Sequence, residues 1–255
     1  MNEHTGRLLS SLEILEARIA PAAVLTYTDV DGDKVTISVS AGDLEGRAQF
    51  ADVGSGQQLQ VLDLTDPGFN GANLKVVVTK SRGGDGLVNL GYINATGVDL
   101  GKIAIPGDLA QLDAGSGTEG VLAVRALSAR SFGLHGTSTQ GGGGDLTWSI
   151  LGDMQSMTVK GSVKDVTLDV QGAVGSISIG KSLIGGSTPF SGSIYVSGTI
   201  GLVTIGGDLL GGRGNESGVI QSREGDITSI TIKGSFIAGS GDIAGMISAG
   251  LDLGP

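Results

Sequence analysis

From Val174 onward the chain repeats itself with a period close to 26 residues, with aligned blocks beginning at Val174, Ile200 and Ile227. Three and five positions into each block stands an apolar residue, and a hydroxyl residue lies between the two. Eighteen positions in, each block has a glycine. The recurring residues are Ile177, Val203 and Ile230; Ile179, Ile205 and Ile232; Ser178, Thr204 and Thr231; and Gly192, Gly218 and Gly245. Because side chains alternate across a strand, this pattern predicts a strand with one buried face.

Earlier stretches match the same strand, so its central apolar position is occupied in turn by Ile103, Met157, Ile177, Val203 and Ile230. A period of 20 to 50 residues is typical of stacked units that cannot bury their apolar faces alone. We therefore predict an all-β fold, a parallel β-solenoid of about 26 residues per coil over residues 81–255. The structural alternative is an antiparallel sandwich of short strands, which does not explain why the same apolar position recurs once in every block.

Composition excludes several classes of protein. Glycine accounts for 47 of the 255 residues, but no glycine recurs at every third position, which excludes collagen. The net charge is −10 and no two Lys or Arg residues are adjacent, so we expect no nucleic-acid partner. The absence of cysteine excludes disulfides and thiol catalysis. No apolar run is long enough to predict a transmembrane helix.

The region before the repeats has a different pattern. Residues 24–39 form two alternating runs around Asp31-Gly32, which predicts a hairpin with a two-residue turn. Further strands are predicted at 59–64 and 74–79. We expect residues 24–80 to form a small antiparallel unit that caps the first edge of the solenoid, with a boundary near residues 80–86.

The sharpest polar cluster is Asp29, Asp31 and Asp33, whose alternating carboxylates are the ligands that calcium prefers. An EF-hand loop would need glycine and glutamate where this chain has Lys34 and Ser40, so the site is not an EF-hand. These three aspartates are the metal candidates, with calcium as the cofactor if there is one. The alternative is a solvated turn with acidic flanks.

Catalytic signals are weak. The stretch 110–153 interrupts the repeat and contains His135, Trp148 and several charged residues. An enzyme would require the charged ones to converge in one groove, namely Asp113, Glu119, Arg125, Arg130 and His135. Trp148 lies in an alternating segment that is typical of a core strand. We expect no catalytic and no cofactor-binding residues.

The leader Leu12-Glu13-Ile14-Leu15-Glu16-Ala17-Arg18-Ile19-Ala20-Pro21-Ala22, followed by glycine-rich β repeats, resembles large surface proteins of planctomycete and verrucomicrobial bacteria. Those proteins carry a leader of the type Leu-Glu-x-Leu-Glu-x-Arg-x-x-Pro-Ala. The resemblance implies export and surface display, with no catalytic residues. By itself, the sequence of residues 1–23 predicts a short helix or a disordered leader.

Together these features predict a non-enzymatic structural or display protein of the bacterial cell surface or extracellular matrix, with adhesion as a related role. The alternative is a module that binds or processes polysaccharide. Expected partners are polysaccharide or neighbouring surface proteins. The fourth repeat begins at Leu253, which predicts a chain truncated within a coil. The uncapped last coil is expected to associate end to end with other copies.

Overall fold

A computed structural model describes residues 23–118 and 120–250, which form an all-β fold with two short 3₁₀ turns at Pro67–Phe69 and Gly136–Gln140. The predicted leader up to residue 22, Glu119 and the beginning of the predicted fourth repeat lie outside the described residues. In chain order, the strands are β1 (Ala23–Thr28), β2 (Lys34–Val39), β3 (Ala48–Val53), β4 (Gly56–Asp63), β5 (Leu74–Thr79), β6 (Val88–Thr96), β7 (Leu100–Ala104), β8 (Gly107–Gly115), β9 (Leu122–Ala129), β10 (Ser131–Phe132), β11 (Thr147–Ile150), β12 (Asp153–Val159), β13 (Val163–Lys164), β14 (Thr167–Val170), β15 (Val174–Ile179), β16 (Leu183–Ile184), β17 (Ser193–Val196), β18 (Ile200–Ile205), β19 (Leu209–Leu210), β20 (Val219–Ser222), β21 (Ile227–Ile232), β22 (Phe236–Ile237) and β23 (Met246–Ala249).

The strands form two long sheets that enclose one apolar core. Sheet A has the order β1-β2-β5-β7-β9-β12-β15-β18-β21, antiparallel over its first three strands and parallel from β5 onward. Sheet B contains the other strands of each coil, and the solenoid strands in it are also parallel. The predicted parallel β-solenoid with a small antiparallel N-terminal unit is confirmed.

The central ladder of sheet A stacks the predicted apolar residues directly. Met157 pairs with Ile177, Ile177 with Val203, and Val203 with Ile230. Leu127 pairs with both Ile103 and Met157, so a complete coil led by β9 lies inside the stretch that the sequence indicated as an interruption. The stretch 110–153 is therefore one coil with one long loop, not a break in the stack.

Coil length varies because loops vary while strand positions do not. From β9 onward, each coil crosses sheet B as a short strand and a longer one, and the connection between them changes in length from coil to coil. Residues 133–146 form this connection after β10, residues 165–166 after β13, and residues 185–192 after β16. The coil from Leu127 to Met157 is therefore longer than the coil from Met157 to Ile177. The predicted period holds for the next coil, from Ile177 to Val203.

The N-terminal unit shares both sheets with the solenoid. Strand β5 pairs antiparallel with β2 and parallel with β7, and β4 pairs antiparallel with β3 and parallel with β6. The predicted strands at 59–64 and 74–79 therefore belong to different sheets. Aromatic side chains fill this end of the core, where the rings of Tyr27 and Phe50 lie 4.9 Å apart and Phe69 is buried. Because the hydrogen-bond ladders continue from this unit into the solenoid, the unit is built directly onto the first coil.

The last described coil has a different environment. Leu209 in β19 is 0% exposed, whereas Phe236, its partner in β22, is 53% exposed. Ile227, Ile230 and Ile232 of β21 are only half-buried. Among residues 23–118 and 120–250, no strand pairs with the outer edges of β21, β22 and β23. Several apolar side chains of this coil are therefore partly or largely exposed at the edge of the described stack. Within the described part of the chain, no helix has the length and apolar character needed to cross a membrane.

Candidate functional site

The three candidate aspartates lie in the connection between β1 and β2. Thr28 pairs with Lys34, so this connection is wider than the predicted two-residue turn. The backbone N–H of Asp29 donates to the carbonyl of Asp33 at 2.9 Å, and Gly32 adopts a φ of +94°. The wider turn lets the side chains of Asp29 and Asp33 point inward, where they are 5% and 0% exposed.

Backbone donors explain why two carboxylates are buried here. The Oδ1 atom of Asp29 accepts the N–H of Asp33 at 2.9 Å. The Asp33 carboxylate accepts the N–H of Ser81 at 2.5 Å and that of Gly86 at 2.6 Å. Buried charges are retained when hydrogen bonds replace water. The cluster therefore joins the β1–β2 turn to the 80–86 loop, close to the predicted domain boundary.

One carboxylate oxygen from each of Asp29, Asp31 and Asp33 lies within 4.8 Å of the others. Burial raises the pKa of the Asp29 carboxyl to about 6, and its hydrogen bond with Asp31 contributes to the rise. The same hydrogen bond lowers the pKa of Asp31. A proton on Asp29 relieves the repulsion between the carboxylates. A hard cation would relieve it in the same way, so calcium binding at these three residues stays a prediction.

We expect the folded protein to lose stability as the pH rises through 6, because the folded state binds the Asp29 proton more tightly than the unfolded state does. The folded pKa is raised above the unfolded value of about 3.9. This contribution is therefore complete below about pH 4 and is lost as the pH passes the folded pKa. Asp29→Asn should remove the step, since the amide oxygen still accepts the backbone N–H groups. Urea unfolding between pH 4 and pH 7 measures the difference between the two proteins.

The same two proteins test the calcium prediction. At pH 7.5, millimolar calcium should raise the melting temperature of the wild type and leave that of Asp29→Asn almost unchanged, because only a ligand that binds the folded state stabilises it. Equal melting temperatures with and without calcium in the wild type would contradict calcium binding. In the pH experiment, an equal loss of unfolding free energy with rising pH in the wild type and in Asp29→Asn would contradict the role of Asp29.

The charged residues of the 110–153 stretch lie on different surfaces. Asp113 lies on sheet B, where its carboxylate accepts the Tyr92 hydroxyl at 2.6 Å and the Ser149 N–H at 2.8 Å. Arg125 is exposed on sheet A, and Arg130 follows the end of β9 at the corner of the coil. His135 is exposed at the start of the 3₁₀ turn. These four described residues therefore do not form one catalytic groove.

Trp148 is a core residue. Its side chain is 0% exposed, its ring lies 4.5 Å from that of Phe132, and its Nε1–H donates to the Ala110 carbonyl at 2.7 Å. An indole in this position offers no surface to a sugar ring. The burial of this side chain confirms the prediction that Trp148 lies in a core strand.

Sequence reasoning did not identify the role of Asp108, which is 2% exposed in β8. Its carboxylate accepts the Ser131 hydroxyl at 2.7 Å and the Leu134 N–H at 3.1 Å. These hydrogen bonds fix the start of the long 133–146 loop. The only signal in the sequence is an acidic residue beside an apolar run, which is also common at ordinary corners.

A second polar cluster lies on sheet B around Tyr195. The Arg223 guanidinium lies 5.0 Å from the Tyr195 ring centroid and forms an ion pair with Asp169 at 3.0 Å. Burial and the nearby Glu216 carboxylate raise the pKa of Tyr195 to about 12. The residues come from three successive coils, so this cluster ties neighbouring levels together.

Comparison of the chain with protein-family models, with curated proteins and with solved structures finds no match.

Proposed function

We propose that this protein is a non-enzymatic structural rod of the bacterial cell surface or extracellular matrix, which spaces or displays other surface components. The observation that carries the proposal is the continuous sheet A ladder from Leu74 to Ile230, with an apolar interior at every level. A stack of this kind resists bending because each coil is hydrogen-bonded to the next along its whole strand. Most of the described chain is thus devoted to building a rod.

The roles of Asp113 and Asp108 favour this proposal over polysaccharide processing. Glycoside hydrolysis needs two carboxyl groups on either side of the scissile bond. In the described part of the 110–153 stretch, Asp113 is held by Tyr92 and Ser149 on sheet B, and the neighbouring Asp108 is buried beneath the long loop. The arrangement of these two carboxylates supports a role in fixing loops and strands.

Surface display is tested directly by antibody labelling of intact cells that express the protein. We expect intact cells to be labelled and mild external protease treatment to remove the label. A cytoplasmic protein serves as the control and should be labelled only after permeabilisation. If this protein also requires permeabilisation, the proposed location is wrong.

The exposed end coil supports self-association of the rod. We expect the wild-type protein to associate as its concentration rises, because Phe236 and its half-buried neighbours can then leave water. Phe236→Lys should weaken association by about tenfold or more, since it places a charge in the apolar contact. Sedimentation velocity over a wide concentration range measures the effect.

Leu202→Lys provides the matched control. Leu202 is 58% exposed but lies on the outer face of sheet A, in the coil before the end coil, where it pairs with Ser229 and does not belong to the open edge. This variant should associate like the wild type. A wild type that stays monomeric at every concentration, or equal effects of the two variants, would contradict association through the end coil.

A further inference from the structure

A groove follows one corner of the solenoid, where the strands of sheet A end. It consists of two adjoining cavities of about 270 and 210 Å³, which share Arg130 and Lys160. We name it the corner groove; it is bounded by Lys75, Leu87, Pro106, Arg130, Lys160 and Lys181. It crosses several levels of the stack and is open to solvent along its length.

The wide end of the groove is created by the junction between the N-terminal unit and the first coil. Strand β5 pairs with β7 only through Leu74 and Lys75, and then diverges from it. The divergence separates Val76 from Ile105 and Pro106 and leaves an apolar floor between them. The groove is therefore a consequence of adding an antiparallel unit to a parallel stack.

The rim of the corner groove is cationic in a protein with a net charge of −10. Lys75, Arg130, Lys160 and Lys181 are exposed, and none of them forms an ion pair with another described residue. Arg130 and Lys160 directly follow Ala129 and Val159, which are paired, so the two cations lie on adjacent levels about 4.8 Å apart along the axis. The nearby buried acid Asp108 already accepts hydrogen bonds from Ser131 and the 133–146 loop.

The outer face of sheet A extends this surface with hydroxyl groups. Its parallel strands carry one acidic residue, Asp153, whose carboxylate accepts the Ala173 N–H. Hydroxyl side chains occupy one outward position on five successive levels: Ser128, Thr158, Ser178, Thr204 and Thr231. The corresponding face of sheet B carries Asp63, Asp113 and Asp169. The corner groove and the outer face of sheet A thus combine cations with hydroxyls, whereas sheet B carries these carboxylates together with Arg223, which pairs with Asp169.

We propose that the corner groove binds a linear acidic polysaccharide. Carboxylate groups of the glycan pair with Arg130, Lys160 and Lys181 on successive levels, and its hydroxyls bond to the neighbouring serines and threonines. The apolar edges of the sugar rings lie against Ile105 and Pro106. Because the cations repeat along the axis, a regular polymer can make the same contact at several levels. Several weak ion pairs on one polymer then add up to a much higher affinity than a single pair gives.

The shape and chemistry of the groove favour a glycan over two other polyanions. Single-stranded nucleic acids bind through aromatic stacking, and none of the described residues that line the groove is aromatic. The acidic face of a second copy is a sheet surface, which does not fit into a concave cleft. A flexible chain of uronic acid units can enter the cleft and can bind its cations without aromatic stacking.

This inference deepens the proposed matrix role and rests on it, but its test does not depend on where the protein is located. Binding of polygalacturonate to the full chain is measured by isothermal titration at low and high salt, with neutral dextran and single-stranded DNA for comparison. We expect binding of polygalacturonate that weakens with salt, and much weaker binding of the other two polymers. Arg130→Gln/Lys160→Gln should weaken polygalacturonate binding by about fivefold or more.

The matched control is Lys34→Gln/Arg213→Gln, which removes the same charge from exposed positions outside the groove. It should change the affinity less than about twofold. Equal losses in the two double variants would overturn the assignment to the groove. Binding of DNA that is as tight as that of polygalacturonate, or no binding of polygalacturonate at low salt, would overturn the glycan proposal. None of these outcomes would change the result of the surface-labelling experiment, so the two proposals fail independently.

Discussion

Replacement of Trp148 with alanine is expected to lower the free energy of unfolding by about 3 to 5 kcal/mol, the usual cost of removing a large buried aromatic side chain. The indole is fully buried against Phe132, and its Nε1–H bonds to the Ala110 carbonyl. Its removal leaves a cavity in the coil that carries the long 133–146 loop. Urea unfolding followed by far-ultraviolet circular dichroism measures the loss.

Trp148→Phe separates packing from hydrogen bonding. The smaller ring keeps part of the contact with Phe132 but cannot donate to Ala110, so we expect a loss of about 1 to 3 kcal/mol. Because neighbouring coils support one another, the loss should appear in the main unfolding transition. A Trp148→Ala loss below about 1 kcal/mol would show that this coil packs independently of its indole.

Gly192→Ala is expected to cost about 3 kcal/mol or more, because two penalties act together at this corner. The residue has a φ of +63°, and an added Cβ would overlap the Ile184 carbonyl oxygen. Gly54→Ala is the matched control, with the same φ of +63° and no atom within 4 Å of the added Cβ. The control should cost only about 1 to 2 kcal/mol, the penalty of the left-handed backbone alone.

The same unfolding measurement compares the two glycine variants. Equal costs would mean that the corner relaxes to accommodate a methyl group and that backbone conformation alone selects glycine. We expect such relaxation to be costly. Gly192, Gly218 and Gly245 occupy equivalent corners and stack on one another in adjacent coils. A shift of one corner would therefore disturb its neighbours.

The regular coils were predictable because their strands repeat a local pattern. An apolar, hydroxyl, apolar triplet specifies one buried face whatever the rest of the chain does, so the pairing of Ile177 with Val203 and of Val203 with Ile230 was expected. The coil led by β9 was not found. Its Leu127 is closer in sequence to Ile103 than to Met157, so no constant period connects the three. Only strand positions face the core, and loop length between them is free to vary.

The candidate sites were also only partly predictable from the sequence. Alternating aspartates in the β1–β2 turn are visible in the sequence, whereas the backbone donors of Ser81 and Gly86 are far away along the chain and arrive by folding. The corner groove had no sequence signal at all. Arg130, Lys160 and Lys181 are isolated cations that become neighbours only because their coils stack.

The sequence by itself determined the all-β class, the repeating buried strand, the glycine corners and the acidic turn, because each depends on residues close together in the chain. The tertiary structure decided which coils are neighbours, how the antiparallel unit joins the stack, and which distant side chains share a surface. These features depend on hydrogen-bond register between strands that are far apart in sequence, and that register is set by packing in the common core rather than by any local pattern.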